Sequence, residues 1–369
     1  MDGARVYNVI AGAETGLIKG INIAQNSWKN LNDLSSANKK NEINVLQWFN
    51  KDQDTIIAGL RSRKVIQLNL SDESGKELLE CEVGTGNFTG LEVFENSIVT
   101  SVESGEINKW NLDENNKEDE TQCIINAGKN ICRMRQNYSN SNLIATGGKE
   151  NCLKIWDLNQ PEKPSFIAKN VKNDWLDHRV PIWVKDISFV PNSNKVVTCT
   201  GHHQIRLYDL SGKQKRPVLE AKYDEYPLTS LALVGDGNQV IVGNTHGNMG
   251  LIDLRKGQLV YNYKGIAGSI KSLMCHPSSK YVASCGLDRF VRVHDIKTRK
   301  LEYKFYLKSK LNCLLFSNLS IENEEEETSN DAKKDNDDMW ENMETVGASN
   351  TKRKINDKDN KEKKKKKKT

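Results

Sequence analysis

Six stretches of the chain repeat one order of apolar and polar positions: TIIAGLRSRKVIQLNL (55–70), SIVTSVESGEINKWNL (97–112), NLIATGGKENCLKIWDL (142–158), KVVTCTGHHQIRLYDL (195–210), QVIVGNTHGNMGLIDL (239–254) and YVASCGLDRFVRVHDI (281–296). In each, an apolar run ends in small residues, a short polar turn follows, and a second run alternates before closing on Asp or Asn. Period-two alternation bounded by turn residues predicts β-hairpins. YNVIAGAETGLIKGINI (7–23) is a seventh copy that lacks the acidic ending. The copies recur every 42 to 52 residues or so, the period of four-stranded blades in a β-propeller.

A shorter apolar strand precedes six of the hairpins: INVLQWF, FTGLEVF, ICRMRQN, WVKDISFV, LTSLALV and IKSLMCH. Strands in this position line the central channel of a propeller. The first hairpin has too few residues ahead of it to supply one, whereas LNCLLFS, Leu311 to Ser317, is a spare copy at the far end. The expected fold is therefore all-β, a seven-bladed propeller over residues 1–317 in which 311–317 completes the first blade and leaves no sheet edge open. Aligned on their inner strands, Val184, Ile187 and Phe189 match Leu228, Leu231 and Leu233, and also Ile270, Leu273 and Cys275, so all nine are expected in the core.

Charge separates the rest of the chain from this body. Residues 322–344 carry about −9 and residues 345–369 about +8, so removing both from the formal +5 leaves about +6 for the body. Too little in 318–369 is apolar to offset the entropy of ordering, and this acidic then lysine-rich tail is expected to be disordered. Within it, Met339, Trp340 and Met343 form a small apolar island, read as a chance feature or a short linear motif. Lys352, Arg353 and Lys354, with Lys363, Lys364, Lys365, Lys366, Lys367 and Lys368, read as a nuclear or nucleolar address or as an RNA arm. No run approaches the roughly 18 apolar residues of a membrane helix, and the N-terminus has no signal-peptide pattern, so an intracellular protein without a membrane partner is expected. The eight cysteines are scattered, several within apolar runs, and form no CxxC pair. They read as reduced, buried thiols, and no metal or cofactor is expected.

Only Trp156-Asp157 gives the literal dipeptide of the WD-repeat family, with Tyr208-Asp209, Ile252-Asp253 and His294-Asp295 as degenerate versions; on these the chain resembles that family of WD40-like propellers, which are in the main interaction scaffolds. A closer resemblance is carried by KNDWLDHRVPIWVKDI (172–187), TCTGHHQIRLYDLSGKQKRPVLE (198–220), EYPLTSLAL (225–233), VIVGNTHGNMGLIDLR (240–255), KGIAGSIKSLMCHPSSKYVASCGLDRFVRVHDI (264–296) and YLKSKLNCLLFS (306–317). These look like the WD repeat-containing protein 74 family and its fungal counterparts, densely over the second half of the propeller and more loosely over the first. The resemblance implies a nucleolar factor of 60S subunit assembly and rRNA processing. Its implied partners are pre-60S assembly factors and an AAA ATPase of the nuclear valosin-containing-protein-like type, which strips it from the particle. A monomer within a large particle is expected.

Candidate contacts come from the longest connection, the one leading into the fifth blade. Trp175, Asp177, His178 and Arg179 fall there, near one rim of the ring, and loops on a rigid scaffold carry most binding residues. Two readings stand. Trp175 folds back on an outer strand while Arg179 pairs with Asp177 or Asp174, or else Trp175 and Arg179 anchor a protein or RNA partner, as hot-spot residue types. Trp183 is read as core. Arg206, Lys213, Lys215, Arg216, Arg255, Lys256, Arg289 and Arg292 cluster in the later blades and are read either as a sector facing pre-rRNA or as solvated charge.

Catalysis finds no support. Gly147-Gly148-Lys149 lacks the spacing and the Ser or Thr of a phosphate loop. His202, His203, His246 and His294 read as turn residues, and no paired acids recur on converging loops. The protein is expected not to be an enzyme.

Overall fold

Seven four-stranded antiparallel sheets carry the seven hairpins. The computed structural model describes residues 7–34, 37–94, 97–112, 122–212 and 214–321. The expected tail features, from Met339 and Trp340 through Lys352, Arg353 and Lys354 to Lys363–Lys368, lie outside the described residues, as does Lys213. In blades one to seven the inner strands are Leu311–Phe316, Ile43–Trp48, Phe88–Phe94, Ile131–Asn137, Val184–Phe189, Leu228–Val234 and Ile270–Cys275. Each pairs with the first strand of its hairpin. Inner strands of neighbouring blades touch in unbroken cyclic order, which makes the seven sheets a ring.

Blade one joins the two ends of the propeller. Val9 faces Phe316, Ile10 faces Leu315, Ala11 faces Leu314 and Gly12 faces Cys313 across an antiparallel ladder. The indole of Trp48, in blade two, donates to the Phe316 carbonyl at 3.1 Å and ties the closing strand to the next blade. Leu311, Leu314, Leu315 and Phe316 are all buried. Beyond them the chain stays on the body. Ile321 is buried, the His276 ring lies 3.1 Å from the Leu319 carbonyl, and the Asn318 amide donates to Gln53 at 2.7 Å. The folded part thus runs past the Ser317 boundary expected from apolar content, because side chains of the body bond its backbone and one isoleucine is buried.

The repeated residues have physical roles. The Asp or Asn that closes a hairpin accepts the amide two or three residues on, as Asn69 does from Ser71, Asp157 from Asn159, Asp209 from Ser211, Asp253 from Arg255 and Asp295 from Thr298. This Asx turn starts the reversal into the outer strand. The indoles of Trp110 and Trp156 each donate to a threonine on the adjacent strand, Thr100 and Thr146, at 2.9 Å, satisfying a donor that packing between blades would otherwise strand.

Antiparallel order fixes what lies at each end. The connections into each inner strand and the turns inside each hairpin share one end, here called upper; the other connections share the lower end. In every blade the ladder slips near the start of the inner strand, leaving one residue unpaired: Asn44, Thr89, Cys132, Lys185, Thr229, Lys271 and Asn312. Such bulges bend a strand and re-aim a side chain. Here they form a ring at the upper mouth of the channel.

Candidate functional site

The connection into blade five leaves blade four after an outer strand of only two residues, Phe166–Ile167. It is shaped by its own polar groups. Asp174 accepts from the amides of Leu176 and His178 at 2.9 and 2.8 Å, and Asp177, at φ 60°, accepts from the Asn173 side chain at 2.9 Å. The turn thus holds Trp175 in solvent at 89 % exposure, with Leu176 beside it at 54 %. Trp175 does not fold back on an outer strand. Nor does Arg179 pair with Asp174 or Asp177; it reaches Glu150, in the hairpin turn of blade four, at 2.9 Å. The Glu150 amide also donates to the Ile182 carbonyl at 2.8 Å, so the base of the loop is clamped to blade four. His178 is exposed and lies 3.7 Å from Asp174.

Trp183 is half-buried against Gly201, where even a methyl group would come within 2.4 Å of the indole. The Lys185 ammonium sits 4.2 Å from the ring centroid, that of Lys149 at 5.7 Å, and His202 meets the ring edge-on. In blade six, Tyr226 and His246 stack at 4.4 Å on the same upper end. Sequence reasoning missed these partners. His202 and His246 sit in equivalent hairpin turns, and an aromatic residue just before the inner strand of the same blade is the signal that pairs with each.

The basic residues do not form one sector. Arg206 and Arg292 are buried, paired with Glu220 at 3.8 Å and with Asp288 respectively. Both are turned away from solvent, where an RNA-facing role expects them exposed. Lys215 and Arg216 are exposed on the outer connection of blade five, where Arg216 donates to the Asn170 carbonyl at 3.1 Å. Arg255 and Lys256 are exposed in a turn at the lower end, Arg255 gripping Asp253 with two nitrogens at 3.1 and 2.7 Å. Arg289 stands at the upper end of blade seven. Strand residues and turn residues look alike in sequence when each carries a charge.

The channel encloses about 340 Å³. Within it Asp186 receives Arg133 and Arg135 at 3.1 and 3.5 Å and the Leu231 amide at 3.1 Å, linking blades four, five and six. Glu92 accepts from Gln47 and from the Gln136 amide, and burial raises its pKa. These groups pair with one another across the channel. Burial pushes the thiols of Cys275 and Cys313 up to about 12, which leaves them protonated and unreactive. Among the described residues no three His, Cys, Asp or Glu side chains are grouped to hold a metal ion.

Comparison with known proteins agrees with this architecture. The family model for the WD domain, G-beta repeat, matches residues 125–157 and 257–295. The chain is 43 % identical over 365 residues to WD repeat-containing protein 74 of Mus musculus, covering 96 % of this chain and 94 % of that one. It is 42 % identical over 350 residues to the protein of the same name from Homo sapiens, covering 93 % and 91 %. A protein of Meyerozyma guilliermondii called ribosome biogenesis protein NSA1 is 30 % identical over 255 residues, covering 60 % of this chain and 64 % of its own. Among solved structures, the WD40 β-propeller domain of Doa1 superposes with a TM-score of 0.60 at 17 % identity, over 73 % of this chain and 84 % of that one.

Proposed function

The chain belongs to the WD repeat-containing protein 74 family, and from that premise we propose that it is a non-enzymatic scaffold in assembly of the large ribosomal subunit. In this reading it works in the nucleolus, binds pre-ribosomal particles through assembly factors, and is released from them by an AAA ATPase of the nuclear valosin-containing-protein-like type. Four fungal relatives carry ribosome biogenesis in their names. One observation carries the binding site: a loop whose own aspartates hold Trp175 out in water, on a base clamped by Arg179 and Glu150. A protein spends no such turn on an exposed indole for stability, since burying it would gain more. Covering Trp175 and Leu176 with a partner recovers that gain, and the rigid base lowers the entropy lost on docking.

The alternative, a propeller that contacts pre-rRNA directly, retains exposed Lys215, Arg216, Arg255 and Arg289 but loses Arg206 and Arg292. The four that remain are divided between different parts of the surface. A Trp175→Ala, Arg179→Ala double variant tests the docking loop. Its folding free energy is expected to stay within about 0.5 kcal/mol of the parent, as for other exposed positions. Its association with nuclease-treated pre-ribosomal particles is expected to weaken about thirtyfold, the equivalent of about 2 kcal/mol. A variant that melts early and binds normally per folded molecule contradicts the assignment.

A further inference from the structure

The ring of bulged residues at the upper channel mouth is unequal in charge. Asn44, Thr89, Cys132, Thr229 and Asn312 are neutral, and Lys185 and Lys271 are cationic; the position carries no acid in any blade. Three of the neutral members are engaged with the ring itself: Asn312 donates to Glu42 and to the Ile43 carbonyl at 2.8 and 3.1 Å, Thr229 donates to the Gly243 carbonyl at 3.1 Å, and the Thr89 and Ser101 hydroxyls pair at 2.7 Å. Among the described residues, neither Lys185 nor Lys271 has a carboxylate within 4.0 Å, while the nearest buried acid, Asp186, is taken by Arg133 and Arg135. Lys185 is instead parked on the Trp183 ring beside Lys149. Burial lowers its pKa first, and Lys271 and Arg133 lower it further. Two cations thus stand on the same bulge ring, close enough to repel each other, and neither has a carboxylate partner among the described residues.

We propose that this mouth is a second docking site, which receives an acidic side chain from an extended segment of a partner protein between Lys185 and Lys271. The inference rests on the scaffold reading for the partner being a protein, and on the bulges and charges for where it binds. A bulge holds each lysine at the rim by backbone geometry, and Trp183, fixed on Gly201, orients the first of them. Beyond the mouth, blades four to six carry Glu150, Asp174, Asp177, Asp224 and Glu225 beside Lys169, Lys172 and Arg179. A polyanion such as RNA meets that rim with charges of both signs. A protein segment with one acidic centre and mixed flanks complements it, and electrostatic matching of this kind governs specificity and encounter rate.

The probe is a fluorescein-labelled dodecapeptide with four central glutamates in a Gly-Ser frame, titrated into the full chain at low ionic strength. Saturable binding is expected, weakening with salt as pairs near a surface do. Lys185→Gln with Lys271→Gln should weaken it at least fivefold, whereas Lys185→Arg with Lys271→Arg should keep it. If the glutamine variant melts early, Lys271→Glu, at an exposed position, is expected to give the same loss. Equal peptide affinity in parent and lysine variants, or none in the parent, overturns the site. A dodecanucleotide of single-stranded RNA that binds more tightly and displaces the peptide overturns its assignment to a protein. Failure of the parent to associate with pre-ribosomal particles contradicts the scaffold reading and is seen separately from these titrations.

Discussion

Gly201 and Trp183 fix the upper end of blade five between them, because the indole occupies the space a side chain at 201 would need. Gly201→Ala should force a rigid ring to move, at a cost of about 1–3 kcal/mol, typical of overpacking; urea denaturation measures it, and a change under 0.5 kcal/mol or so would mean that the indole is free to shift. His294 offers a test by pH. It is buried, with its ring edge-on to Tyr263 at 5.4 Å and one nitrogen 3.4 Å from the Lys264 carbonyl. Burial, with Arg292 adding to it, lowers its pKa to about 4. The unfolded chain, with an ordinary histidine pKa of about 6.5, binds more protons between those values. Stability is therefore fully present above about pH 6.5 and falls as pH drops towards 4. His294→Gln should show a shallower loss of urea midpoint between pH 7 and pH 5 than the parent, and parallel curves would contradict a neutral buried ring.

The closing strand is the element on which the ring depends most. Leu311, Leu314 and Leu315 are at most 5 % exposed, so aspartate at any of them places an unpaired charge in the seam where the first and last strands of the propeller pair. Loss of about 3 kcal/mol or more is expected, measured as a fall in the melting temperature of the whole domain. Hairpins and inner strands were legible in sequence because both have buried faces that write alternation into the chain. The outer strands were not. Gly75–Glu80, GKELLE, is mostly exposed and pairs along one edge only, so nothing constrains its pattern. Burial of Arg206 and Arg292 was equally invisible, since the partners Glu220 and Asp288 make a charged strand residue resemble a solvated one. The Trp175 loop was legible from the longest spacing between repeats, whereas Lys185 and Lys271 were not, because a bulge inserts a residue where alternation is being read.

At the scale of the whole molecule, the upper end carries the Trp175 loop, the aromatic-histidine pairs and the lysine mouth, while Ser317–Ile321 is fastened to His276, Asn8 and Gln53. Deleting residues 322–369 should leave the unfolding free energy within about 0.5 kcal/mol while reducing nucleolar accumulation, as fluorescence imaging of the tagged chain would show. Deleting from Asn318 should cost about 1.5–3 kcal/mol more, because Ile321 leaves the core. The scaffold account itself is tested most directly by sedimenting lysate from cells expressing the tagged chain through a sucrose gradient, before and after nuclease. The account predicts migration with precursors of the large subunit, retention on assembly factors after nuclease, and a shift of the Trp175→Ala, Arg179→Ala variant to the top of the gradient. A parent chain that sediments as a free monomer, or that leaves every protein partner once RNA is digested, would contradict it.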